Sequence, residues 1–196
     1  MTPEQREQIL QALWPQGAKS KLSVWAILDC ARDPKIYLAL LESRLEFRCL
    51  YAGKLPRELE MVAPYLVELS PTNRLTARWL DEGWGQSWGV FLKVDDASNL
   101  RHHLRKFLKV QDEAGRRLVF RYYDPRVLRA YLPTCTPDES ATVFGPIDSF
   151  FVEARGGTGW HQFSLQGGAL LRRDRAYESD VFRAGSPSVD AHESGR

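Results

Sequence analysis

An α/β fold is predicted for this chain: a mixed sheet with helices packed on it, then a helical segment and a C-terminal β-hairpin extension. Three observations predict it. Short apolar runs of strand length alternate with runs of helical period. Helix-start signals, each a Thr or Asp followed by proline, stand at Thr2-Pro3, Asp33-Pro34, Asp124-Pro125 and Thr136-Pro137. Near the C-terminus residues 147–153 and 160–166 read as two strands around Gly156-Gly157-Thr158-Gly159, the arms of a hairpin. The 196 residues suffice for one core with a small extension, and 43% apolar against 27% charged residues is globular composition.

Thr2-Pro3-Glu4-Gln5 has the form of a capping box, and Ile9, Leu10, Leu13 and Trp14 form one stripe before Pro15 and Gly17 stop the helix. Residues 22–29 are expected to be a buried strand. Asp33 then caps a helix with Ile36, Tyr37, Leu40 and Leu41 inward. Strands follow at 45–51 and 64–69, with a short helix over 55–63 between them. Residues 73–82 have helical spacing at Leu75, Trp79 and Leu80, and 88–94 is a strand. Asp96 or Ser98 caps a helix to about residue 108, with Leu100, Leu104, Phe107 and Leu108 inward and a basic outer face. Residues 109–112 and 117–123 form a hairpin. Asp124 caps a helix with Val127, Leu128, Tyr131 and Leu132 inward, and Thr136-Pro137-Asp138-Glu139 is a second capping box on a helix that Gly145-Pro146 ends. The plan of 33–41 parallels that of 124–132, as an internal repeat or as two independent strand-to-helix caps. Residues 170–182 carry Leu170, Leu171, Tyr177, Val181 and Phe182 and could dock on the domain or on a partner. From Ser186 apolar residues nearly vanish, which predicts a disordered tail. The organisation is thus an N-terminal helix (1–21), a main domain (22–146), an extension (147–185) and a tail (186–196).

Composition excludes several function classes. No apolar run reaches the roughly 18 residues of a membrane-spanning helix. The N-terminus carries Glu4, Arg6 and Glu7 where a secretory signal needs an apolar stretch, so a cytoplasmic location is expected. Cys30, Cys49 and Cys135 are far apart and odd in number, which fits reduced thiols. No Cys/His spacing suits zinc, and His102 and His103 would point about 100° apart on a helix. Neither metal nor cofactor is expected. Charge is uneven: residues 97–133 hold nine basic and three acidic side chains in a chain of net charge +2. That segment is either a solvated face or a docking surface for an acidic partner. Nucleic acid is the weaker partner class, because the aromatic residues here sit at apolar positions of strands and helices.

The densest motif is Gly83-Trp84-Gly85-Gln86-Ser87-Trp88-Gly89. Gly85–Gly89 fits the G-x-S-x-G pattern of serine hydrolases, whose serine stands on a strand-to-helix turn. Here the order is helix, turn, strand, which favours a glycine turn with buried indoles. A hydrolase built on Ser87, a downstream aspartate and His161 stays as a rival, as does a nucleic-acid module built on 97–133.

Taken in order, Leu28-Asp29, Ala31-Arg32-Asp33-Pro34, Ala63-Pro64-Tyr65-Leu66-Val67, the Gly83–Gly89 motif, Leu100–Leu104–Arg105, Arg121–Leu128 and Phe144-Gly145-Pro146 resemble the adaptor-chaperone domain of bacterial type VI secretion, over about residues 22–146. The resemblance implies a protein without enzymatic activity that binds a toxic effector in the cytosol and helps load it onto the spike protein VgrG. It assigns no chemistry to single residues. From the residues themselves, Asp29, Arg32, Asp124 and Arg126 are expected to form a structural polar network at the two strand-to-helix junctions. Trp84, Trp88, Arg101, Arg105, Lys106 and Arg126 are the candidates for contact with a partner, although Trp84 and Trp88 are better suited to the core or its rim. The cations of 97–108 are expected to project into solvent.

Overall fold

The computed structural model describes residues 1–17, 22–111 and 114–177. The expected tail at 186–196, together with Val181, Phe182, Asp112 and Glu113, lies outside the described residues.

Helix α1 (Pro3–Leu13) opens the chain with the expected capping box at Thr2. Strand β1 (Ser23–Asp29) leads into α2 (Pro34–Ser43), which Asp33 caps by accepting from the Lys35 N–H at 2.8 Å. Then come β2 (Phe47–Cys49), α3 (Arg57–Glu60), β3 (Pro64–Leu69), α4 (Arg74–Arg78) and β4 (Gly89–Val94). Helix α5 (Leu100–Arg105), a small hairpin of β5 (Lys109–Gln111) and β6 (Arg117–Val119), α6 (Pro125–Tyr131) and α7 (Pro137–Phe144) follow. The chain closes with β7 (Ile147–Glu153), β8 (Gly159–Gln166) and β9 (Ala169–Ala176).

The α/β architecture is the expected one. Seven strands form one sheet in the order β2-β3-β1-β4-β7-β8-β9, and every registered pairing is antiparallel, so the expected mixture of strand directions is absent. The C-terminal hairpin is real but is not an appendage: β7 pairs with β4 and extends the main sheet. Both sheet faces are covered, which is why β4 is buried at every position rather than at alternate ones. On one face Ala26, Leu28, Val67, Phe91 and Phe151 pack with Ile9 and Leu13 of α1, Ile36 and Leu40 of α2, and Leu75 of α4. On the other, Ile27, Leu66, Val90, Leu92, Phe150 and Phe163 pack with Leu100 and Leu104 of α5, Leu128 of α6 and Phe144 of α7.

Several local expectations are corrected. The helix over 73–82 changes pitch at Trp79 into a π turn (Trp79–Gly83), which lets Trp79 stack on Phe91 with centroids 4.0 Å apart. Leu41 is 51% exposed, because Ala39 rather than Leu41 completes the inward stripe of α2. Neither Asp96 nor Ser98 caps α5: Asp96 accepts from Ser98, and Asn99 occupies the cap position without a side-chain bond. Residues 120–123 leave the hairpin early, because Tyr122 and Tyr123 turn into the core. Residues 169–176 form a further strand, β9, that docks on β8 along its whole length.

Candidate functional site

The glycine-tryptophan loop sits between the π turn and β4, so the helix-turn-strand order predicted from sequence is the order found. Each special residue in it has a packing reason. A Cβ on Gly83 would lie 2.3 Å from the Trp88 ring, and one on Gly89 would lie 2.0 Å from the Ile27 carbonyl oxygen. Ser87 takes a left-handed backbone (φ 61) that L-residues adopt at a cost of about 1–2 kcal/mol. What holds it there is Glu153 at the end of β7. The Glu153 carboxylate accepts the Gly85 N–H at 2.7 Å and the Ser87 N–H at 2.8 Å, with the Ser87 hydroxyl at 3.4 Å. Glu153 is only 4% exposed, and burial raises its pKa against the opposing pull of those hydrogen bonds and of Arg129. The Arg129 guanidinium also donates to the Glu153 carbonyl.

The two strand-to-helix junctions close around the same loop. The Asp29 N–H donates to the Trp88 carbonyl at 2.8 Å. The Asp29 carboxylate is buried and pairs with Arg121 through Oδ2, while its Oδ1 has no partner. Burial raises the Asp29 pKa, with Arg121 pulling the other way. Asp124 caps α6 by accepting from the Arg126 N–H at 2.9 Å and is gripped by the same residue's guanidinium. Burial opposes ionisation of Asp124, but the Arg126 bonds outweigh it and hold the pKa below the ordinary aspartate range. Arg32 donates to the Gln86 carbonyl at 3.2 Å rather than to a carboxylate. The expected network of Asp29, Arg32, Asp124 and Arg126 is therefore two ion pairs, Asp29–Arg121 and Asp124–Arg126, whose charges act on one another without a shared hydrogen bond, plus a loop tether from Arg32. Arg121, Arg129 and Glu153 are the members that sequence reasoning missed. The one available signal was Glu153 itself, a lone acid ending the run Phe150-Phe151-Val152.

The partner candidates divide sharply. Trp88 is 1% exposed and is a core residue, since the absent Cβ of Gly83 lets its indole pack inward. Trp84 is half-buried against the core that includes Phe91. Arg126 is committed to Asp124. Arg101, expected to project into solvent, instead donates to the Cys49 carbonyl from Nε at 2.9 Å and Nη2 at 2.8 Å, because the end of β2 lies against α5 and offers an unpaired acceptor. Arg105 and Lys106 are different. With His102, Lys109, Leu50, Tyr51, Ala52, Leu108 and Val119 they line a groove of about 560 Å³ between α5, the β5–β6 hairpin and the segment after β2.

Ser87 has neither the surroundings nor the setting of a nucleophile. It is buried, its hydroxyl lies nearest Glu153, and His161 is bonded to Asp174 and Arg172 on β8–β9. Among the described residues no group of three His, Cys, Asp or Glu side chains could hold a metal. Cys30, Cys49 and Cys135 are unpaired, and burial raises each thiol's pKa. No helix of the described residues is long and apolar enough to cross a membrane.

Residues 24–142 match a family described as a domain of unknown function, DUF4123. The match runs from β1 into α7 and takes in both Asp-Pro junctions, the glycine-tryptophan loop and the basic groove. No curated protein and no solved structure matches the chain.

Proposed function

This chain belongs to the DUF4123 family, and we infer that it is a non-catalytic adaptor that binds a toxic effector of a type VI secretion system in the cytoplasm and helps load it onto the VgrG spike. One observation carries the reading furthest. The polar groups of the motif cluster are spent on one another: Arg121 on Asp29, Arg126 on Asp124, Glu153 on the backbone of Gly85 and Ser87. The groove between α5 and the β5–β6 hairpin, with apolar walls and cations, is open beside them, and it suits holding a partner better than transforming a substrate. The order of the motifs along 22–146, and the family match over nearly the same residues, support the same reading.

The test is genetic. Deleting the gene should lower the abundance or secretion of the toxin encoded beside it while the secretion tube still assembles. Unchanged toxin level and unchanged secretion in the deletion strain would contradict the adaptor role.

A further inference from the structure

We propose that the groove between α5 and the β5–β6 hairpin binds an acidic, amphipathic segment of the partner protein, in which carboxylates alternate with aliphatic side chains. This rests on the adaptor reading and names the chemistry of what that adaptor recognises.

Arg105, Lys106 and Lys109 line the groove together with His102, and among the described residues no acidic side chain does. None of these three cationic side chains has a hydrogen-bond or ion-pair partner among the described residues, whereas those of Arg101, Arg121 and Arg126 each do. Like charges gathered in one concave site raise its potential and attract carboxylates over the distance of a Debye length, about 8–10 Å at physiological salt.

The groove also offers apolar contact that does not depend on charge. Leu50 and Leu108 form buried walls, and Val119 stands 58% exposed opposite Lys109, its cross-strand partner. Val110 and Leu118, also paired across the hairpin, are exposed on its other face. Two three-residue strands with both faces uncovered are marginal in water on their own, because a lone two-stranded hairpin buries too little. A partner segment laid along the groove would cover Val119 and place carboxylates against Arg105, Lys106 and Lys109.

The aliphatic lining also separates a protein segment from a nucleic acid. Binding a single strand calls for exposed aromatic faces on which bases stack. The one aromatic side chain in the described lining, Tyr51, is half-buried and packed against both core clusters, and Phe107 and Phe120 are half-buried and packed edge-on or tilted against Tyr122, with centroids 6.1 Å apart in each case. What the hairpin exposes is valine and leucine.

The experiment uses the full chain and a fluorescent peptide of Asp-Glu-Leu repeats, with a Lys-Lys-Leu peptide and a DNA duplex as controls. Lys106 and Lys109 are exposed and unpartnered, so K106E/K109E should fold as wild type does by thermal melting. The acidic peptide should bind wild type and lose about tenfold or more in affinity to K106E/K109E, with a shallower salt dependence. Val119→Ser should weaken binding while leaving the salt dependence in place. Failure of the acidic peptide to bind, equal binding to wild type and K106E/K109E, or DNA binding that exceeds peptide binding would each overturn the proposal. The adaptor reading is checked separately by co-purification of the neighbouring toxin. A toxin retained equally by wild type and K106E/K109E removes the groove from the account and leaves the adaptor. A toxin retained by neither removes the adaptor.

Discussion

Replacing Glu153 by alanine tests the internal logic of the glycine-tryptophan loop. The side chain reaches from the end of β7 and satisfies two backbone donors, those of Gly85 and Ser87 at 2.7 and 2.8 Å. Truncation leaves both without their acceptor in a site where Glu153 and Ser87 are nearly excluded from water. Each unsatisfied buried donor costs about 1–3 kcal/mol, and release of the buried carboxylate's own desolvation cost offsets part of the sum. The net loss should be about 2–5 kcal/mol. For a chain of this size each kcal/mol moves the melting temperature by about 2–4 °C. Glu153→Gln keeps one carbonyl acceptor but turns an amide donor toward the second N–H, so its loss should be about 1–3 kcal/mol. Urea unfolding followed by tryptophan fluorescence reports both variants, since Trp84 and Trp88 flank the affected amides. A Glu153→Ala protein as stable as wild type would refute the claim that this carboxylate holds the loop.

Four further expectations follow from the same geometry. Asp124 has a lowered folded-state pKa, so its contribution to stability is complete above the unfolded value near 4 and is lost as pH falls through the folded one; the stability gap between wild type and Asp124→Asn should stay constant at neutral pH and close on acidification below about pH 4. Gly83→Ala drives a Cβ to within 2.3 Å of the Trp88 ring and should cost about 1–3 kcal/mol by overpacking, measured as a lower urea midpoint. Arg101→Ala strips the Cys49 carbonyl of its donors and should cost about 1–2 kcal/mol, while Lys106→Ala changes stability by less than about 0.5, a contrast that melting curves resolve. A fluorophosphonate probe should leave the protein unlabelled, and stoichiometric labelling lost in Ser87→Ala would revive the hydrolase reading.

Features whose cause is local were legible in the sequence. The caps at Thr2, Asp33, Asp124 and Thr136 each bond a backbone N–H two or three residues on, so the residues that make the bond sit side by side in the chain. Strands β1, β3, β4 and β7 announced themselves as apolar runs because helices cover both sheet faces there, whereas β8 has polar residues between Trp160, Phe163 and Leu165 and is only partly buried. Strand β9 gave little signal: Arg172-Arg173-Asp174-Arg175 is the charge pattern of an edge strand, which protects an open edge from pairing with other chains. The site was less legible. Asp29 and Arg121 lie 92 positions apart, and Glu153 meets Gly85 across 68, so no short-range pattern links them. Arg101 was misplaced because its partner is a backbone carbonyl, and an acceptor at the end of a strand leaves no trace in side-chain identity. Arg105 and Lys106 could be singled out from charge, but the walls that make their surroundings a groove come from residues 50–52 and from Val119 beyond the hairpin turn.

The central claim is that this protein binds an effector rather than acting on a substrate. It is tested most directly by co-expressing the chain with a candidate effector, taken from the products of the neighbouring genes, and measuring the mass of the product by size-exclusion chromatography with light scattering. A single complex containing both chains, in which the toxin is unmodified and is more soluble than when expressed alone, is the predicted result. Separate elution of the two chains, with the toxin equally soluble in the absence of its neighbour, would contradict the account.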